Sequence, residues 1–186
     1  MKHVSFTRME QGTAEDYAFL AQQEQQYVSG LPQRLIKALL KLQNSLPGYQ
    51  LSVLEHSLQS ATRAHRAGES EQLVVAALLH DVGDELAPYS HSEMVAAILR
   101  PFVSEDIYWV IKHHGLFQQY YYAHHSGGNR HARDRYSEHR YYQSAVDFCH
   151  HYDQNCFDPD YDWESLEFFR PMIERVFAQP LAGNQQ

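Results

Sequence analysis

Two cysteines, Cys149 and Cys156, stand in a chain of 186 residues. That is too few for a disulfide framework or a four-cysteine zinc site. Nine glycines and seven prolines are thinly spread, with no Gly/Ser linker, low-complexity tract or internal repeat to divide the chain. No stretch approaches the ~20 apolar residues of a membrane span, so no membrane partner is expected. Residues 1–12, MKHVSFTRMEQG, lack the apolar core of a signal peptide, and a cytoplasmic protein is predicted. Positive charge is scarce as well. Fifteen Lys+Arg against 23 Asp+Glu leave a formal charge of -8, which suits a nucleic-acid phosphate backbone poorly, so no such partner is expected. What the chain does have is 44% hydrophobic residues, enough for one real core, and 13 histidines. Neutral imidazole is the commonest side-chain metal ligand, so the spacing of those histidines matters.

Apolar residues recur at three-and-four spacing between the sparse glycines and prolines, and no run alternates with period two. An all-α fold follows. Thr13 caps a predicted helix to about residue 28, with Glu15 and Asp16 in its first turn, where the helix dipole favours carboxylates. Further helices are predicted over 31–42, 51–67, 70–80 (capped by Ser70), 91–99, 104–114, 141–153 and 163–177. The segment 120–140 carries Gly127-Gly128, several arginines and little periodicity, and reads as a long loop with short helical pieces at most. One domain over 1–186 is expected. Residues 13–45 would form N-terminal helices, 46–153 the core of the site and 163–178 a closing helix.

The informative string is the apolar run Val74-Val75-Ala76-Ala77-Leu78-Leu79, which leads straight into His80-Asp81. Placing a carboxylate beside an imidazole at the end of a buried helix costs several kcal/mol unless something pairs with it, and a metal ion does so. The plainer reading of the dipeptide alone is a solvated helix end. His56, His91, His114 and Asp153 each fall on a different predicted helix, which suits a bundle aiming side chains at a shared metal site.

The order His56, His80-Asp81, His91, His114, Asp153 resembles the HD-domain superfamily in its binuclear form. The strings Leu54-Glu55-His56-Ser57-Leu58-Gln59 and Ala76-Ala77-Leu78-Leu79-His80-Asp81 are most similar to its mixed-valent diiron oxygenases. Those comprise myo-inositol oxygenase and the enzymes that cleave the carbon–phosphorus bond of 1-hydroxyphosphonates. The resemblance spans roughly residues 46–153 and implies a helical bundle around a binuclear site. It implies one metal held by His56, His80, Asp81 and Asp153, and a second held by Asp81, His91 and His114, with Asp81 bridging. The cofactors would be two iron ions, Fe(II)/Fe(III), with O2 as co-substrate. His113 adjoins His114; the place after Ile111 favours His114, with His113 beside the site or on the helix surface. Glu55, Gln59 and Tyr152 are candidates to orient the imidazoles.

Three positions depart from the relatives. Asp84 stands where they often carry a basic residue, Gln118 where the phosphonate-cleaving enzymes have a lysine, and Tyr49 where one has a lid glutamate. Asp84 and Tyr49 are taken as candidate catalytic residues. Gln118, Lys112, Arg130, Arg133 and Tyr121 are candidates for binding a small anionic or zwitterionic substrate, because arginine forks match phosphonate oxygens. The plainer reading of those arginines is a solvated loop, and of the tyrosines core packing. An added carboxylate and many rings suit a cationic end on the substrate. By resemblance the substrate would be 1-hydroxy-2-(trimethylammonio)ethylphosphonate, converted to glycine betaine and phosphate. The alternative is a metal-dependent phosphohydrolase acting on a nucleotide or phosphate ester, in which Asp84 or Glu85 serves as general acid or base. A metal sensor without turnover is a further alternative.

Overall fold

The unbroken apolar run 74–79 forms the axis of the molecule, and every one of its side chains is buried. A helix that is hydrophobic all round has no face to offer water, so other elements must enclose it. In the computed structural model, which describes residues 3–182, that is what happens. The outermost positions of the expected 1–186 domain, 1–2 and 183–186, lie outside the described residues.

The helices are α1 (Ala14–Ser29), α2 (Leu31–Lys41), α3 (Val53–Arg66), α4 (Glu71–Leu79), α5 (His91–Leu99), α6 (Glu105–Tyr122), α7 (Tyr142–Phe148) and α8 (Leu166–Val176). No strand forms among the described residues, and none of these helices is long and apolar enough to cross a membrane. Helix starts follow local chemistry. Thr13 and Asp16 form a reciprocal capping box at α1, Ser52 and Glu55 another at α3, and the hydroxyls of Ser70 and Ser165 cap α4 and α8.

The α4 axis packs against α3, α6 and α8, while α5 lies along α6 and α7 along the other side of α6. From α2, Leu35, Ile36 and Leu39 close one side of the core; from α8, Phe169 and Ile173 close another. In contrast, α1 buries no residue and is attached through Arg34, whose guanidinium donates to the Tyr27 carbonyl at 2.7 Å.

The structure differs from the sequence reading in two places. The sixth helix continues past 114 to Tyr122, because Phe117 extends the buried stripe of Ile107, Val110, Ile111 and His114 by another turn. The segment beyond it is folded back by short 3-10 turns at Ala123–Ser126 and Ala132–Tyr136. The second difference lies at the end of α7, where the chain widens into a π-helical turn over Cys149–Asp153, with the Gln154 N–H reaching back to the Cys149 carbonyl at 3.0 Å. Such turns shift the register of the residues that follow, and here the turn ends on a fully buried Asp153.

Candidate metal centre

Four imidazoles converge in the middle of the bundle, one each from α3, the end of α4, the start of α5 and the middle of α6. Each has its Nδ1 against a main-chain carbonyl or a carboxylate oxygen. His56 Nδ1 lies 3.1 Å from the Cys156 carbonyl, His80 Nδ1 2.7 Å from that of Ala77 and His114 Nδ1 2.7 Å from that of Ile111. His91 Nδ1 faces Asp84 Oδ1 at 3.1 Å. A proton therefore belongs on Nδ1 in all four, so that each ring, when neutral, turns an Nε2 lone pair toward the centre.

Those lone pairs face one another. His56 and His80 hold their Nε2 atoms 3.1 Å apart, and His91 and His114 hold theirs 3.2 Å apart. Two neutral imidazole nitrogens cannot hydrogen-bond each other, so each pair calls for a shared proton or a metal ion between its members. Ligands at right angles on bonds of about 2.1 Å stand about 3.0 Å apart, which matches both spacings. Asp81 lies between the pairs. Its Oδ2 is 3.4 Å from His56 Nε2 and 3.2 Å from His80 Nε2, while its Oδ1 is 3.5 Å from His91 Nε2 and 3.4 Å from His114 Nε2. Two groups able to hold a metal ion result, His56/His80/Asp81 and Asp81/His91/His114, with one carboxylate in common.

Asp153 stands beside the first group, outside the two sets whose donor atoms all lie close together. Its Oδ1 is 3.5 Å from His56 Nε2 and 3.7 Å from His80 Nε2, and accepts a hydrogen bond from the Gln118 amide at 2.7 Å. Its Oδ2 is buried without a hydrogen-bond partner. A buried carboxylate oxygen left bare is costly, and a cation removes the cost. The donor set, imidazole nitrogens and carboxylate oxygens without thiolate, fits iron, manganese or zinc.

The electrostatics point the same way. Burial opposes charge on His80, yet Asp81 and Asp153 outweigh it and hold its pKa well above the ordinary histidine value. Burial likewise opposes ionisation of Asp81, but His80, His114 and His56 keep its carboxyl well below the usual range. Burial also opposes ionisation of Asp153, and the neighbouring His56 and His80 imidazoles outweigh it and hold its carboxyl low. The field at this point calls for positive charge. Asp84, by contrast, is pushed up to about 6 by burial and by the nearby charge of Asp81. Burial, with His114 and His80 adding to it against Asp81, lowers the pKa of His91.

Of two adjacent histidines, the structure brings His114 to the centre. His113 turns the other way, donating from Nδ1 to the Trp109 carbonyl at 2.8 Å and stacking on the Trp109 ring. A cavity of about 500 Å³ opens on the centre, with His56, Asp81, Asp84, His91 and Gln118 on its inner wall. Tyr49, Tyr122 and Phe157 supply rings to it, and Glu85 a second carboxylate beside Asp84. Phe157 stacks on His56 at 4.4 Å and Tyr49 stacks on Phe157 at 4.9 Å.

Lys112 lies outside this cavity. It lines a neighbouring space of about 680 Å³, together with Arg135, beyond the wall formed by His91 and Gln118. Arg130, Arg133 and Tyr121 line neither space. The two guanidiniums stack at 4.2 and 3.8 Å on the Tyr120 ring, and the Tyr121 hydroxyl hydrogen-bonds with His150 Nδ1.

None of the three side chains expected to orient the imidazoles does so. Glu55 caps α3, Gln59 donates to the Asp158 carbonyl and Tyr152 to Glu69. Main-chain carbonyls and Asp84 do that work instead. The carbonyls of Ala77 and Ile111 lie three residues before their histidines, a spacing the sequence contains. Cys156 and Phe157 reach His56 across the chain, and no local pattern announces them. Gly83 and Gly115 were also missed: a Cβ on Gly83 would meet His91 Cα at 3.1 Å, and one on Gly115 would meet Ser92 Oγ at 2.8 Å. Both permit the close approach that seats the start of α5.

Comparison with known proteins bears on the family of the chain. A curated relative, the [1-hydroxy-2-(trimethylamino)ethyl]phosphonate dioxygenase (glycine-betaine-forming) of Leisingera caerulea, is 31% identical over 84 residues. The match covers 39% of this chain and 43% of that protein, so it spans less than half of the relative's length. The profile of the HD domain matches residues 53–145, which takes in α3 to α6 and the start of α7. With half of its length in that match and the histidine–aspartate pair at the hub of its helices, the chain belongs to the HD-domain family.

Proposed function

We propose that the chain is a two-iron oxygenase that uses O2 to cleave the carbon–phosphorus bond of a small 1-hydroxyphosphonate. The observation that carries this reading is the division of the Asp81 carboxylate between two imidazole pairs, which provides for two ions side by side. The likeness to the Leisingera caerulea dioxygenase supports the reaction class. When bound, an Fe(II)/Fe(III) pair supplies the redox capacity for O2 chemistry and open positions for neighbouring hydroxyl and phosphonate oxygens. The electrons come from the substrate carbon, so turnover needs no outside reductant.

The chain's own residues do the rest. Nδ1 partners fix the four rings, and Gln118 fixes Asp153. Phe157, stacked on His56, keeps water from that side of the centre, and Tyr49 extends the cover. The ring faces of Tyr49, Tyr122 and Phe157, with the carboxylates of Asp84 and Glu85, suit the cationic end of a zwitterion. The substrate that meets this description is 1-hydroxy-2-(trimethylammonio)ethylphosphonate, yielding glycine betaine and phosphate. A cavity of about 500 Å³ is of the right order for such a molecule.

The placement of Asp84 and Glu85 on the cavity wall favours one rival, a phosphohydrolase in which one of them is general acid or base. Oxygen separates the two. Iron-loaded protein given the trimethylammonio compound is expected to consume O2 in step with glycine betaine and phosphate, and to stop when O2 is removed. Phosphate release that continues under anaerobic conditions establishes the hydrolase instead.

A further inference from the structure

We infer that the two metal positions are unequal, and that Asp84 is the positioning residue that determines whether the second one is retained. This rests on the two-position reading of the centre and is independent of the oxygenase chemistry.

At the first position the imidazoles are fixed by the main chain and Asp153 by burial. His56 is held by the Cys156 carbonyl and His80 by that of Ala77. Their side chains are 3% and 0% exposed, and that of Asp153 is 0% exposed. Gln118 tethers Asp153 in addition. Of the four candidate ligands there, His56, His80, Asp81 and Asp153, only Asp81 has a side chain more than 3% exposed.

The second position is built differently. His114 is buried and held by the Ile111 carbonyl, but His91 is held by a side chain, through Nδ1 to Asp84 Oδ1 at 3.1 Å. His91 and Asp84 are 25% and 23% exposed at their side chains, and both stand on the wall of the open cavity. His91 is also the first residue of α5, so no preceding helical turn restricts its ring. Close contacts at Gly83 and Gly115 fix the backbone there, while Asp84 fixes the ring. Asp81, His91 and His114 are the ligands available, so losing the aim of His91 leaves two. The first position therefore keeps its ion, and the second exchanges through the cavity under the control of Asp84.

Mn(II) is a redox-stable probe for such N/O sites, and bound ions are counted by loss of the free-ion EPR signal. Titration of the metal-stripped full chain is expected to show two Mn(II) per chain, one tight and one weaker. Asp84→Ala is expected to leave the first step unchanged and weaken the second about 10- to 100-fold, the usual effect of removing a ligand's orienting partner. Asp84→Asn keeps an oxygen that accepts from His91 Nδ1, and is expected to recover most of that loss. The inference is overturned if Asp84→Ala binds the second ion like the parent, if it weakens both steps alike, or if Asp84→Asn is no better than Asp84→Ala. A parent protein that binds a single Mn(II) removes the two-position reading itself, and this inference with it.

Discussion

The side-chain amide of Gln118 donates to Oδ1 of Asp153 at 2.7 Å, while Oδ2 of the same carboxylate stays buried with no hydrogen-bond partner. One oxygen is pinned so that the carboxylate faces the imidazole pair of His56 and His80. Gln118→Leu keeps the bulk and removes the donor. Its expected effect is a 10- to 100-fold loss of metal affinity at that position, with an unchanged far-UV spectrum. Competition against a calibrated chelator measures it, and parent-like affinity would show that Asp153 needs no tether.

Without metal, four imidazoles and two carboxylates converge on a buried centre where protons on the imidazoles must balance the carboxylates. A ligand present at a thousand times its Kd stabilises the folded state by about 4 kcal/mol. For a chain of this size that corresponds to a rise in Tm of roughly 10 °C. Calorimetry of chelator-treated protein against metal-restored protein is expected to show an increase of that order. Coincident transitions would mean that the centre holds no ion tightly.

The seat of α5 is testable without metal. In Gly115→Ala the added methyl would lie 2.8 Å from Ser92 Oγ, with the His91 ring next nearest at 3.7 Å. A destabilisation of about 1–3 kcal/mol is expected from such overpacking. Ser92→Ala removes the atom in conflict, so the double variant is expected to recover most of the loss in denaturant unfolding. Additive costs in the two variants would place the strain elsewhere.

Tyr49 offers a ring at the cavity, exposed and stacked on Phe157. A quaternary ammonium over an aromatic face gains about 0.5–2 kcal/mol, which converts to roughly 2- to 30-fold. Tyr49→Leu is expected to reduce by that factor the preference in kcat/KM for the proposed trimethylammonio substrate over its neutral isostere. An unchanged ratio would take this ring out of substrate recognition.

The sequence showed the parts of the centre better than the way they are held. His56, His80, Asp81, His91, His114 and Asp153 could be picked out because they fall on or at the ends of separate apolar-periodic segments, in an order that resembles the HD-domain superfamily. Helix starts at Thr13 and Ser70 were readable for a local reason, a hydroxyl before a periodic run. The choice between His113 and His114 depended on which face of α6 meets the core, and the stripe Ile107, Val110, Ile111, Phe117 places His114 on it. What escaped was non-local: the Cys156 carbonyl on His56, the Phe157 ring and the Asp84 carboxylate on His91. Arg130 and Arg133 misled because arginine in a loop advertises charge, whereas here both guanidiniums cover the Tyr120 ring and fold the loop onto α6. The widened turn that delivers Asp153 has no sequence signature of its own.

Asp81 is expected to join two ions in a single centre, and anomalous diffraction from crystals of the metal-loaded chain locates them. Two peaks about 3.5–4 Å apart are expected, one on each side of the Asp81 carboxylate, the first against His56, His80 and Asp153 and the second against His91 and His114. A single peak at full loading, or two that do not share Asp81, would contradict the account.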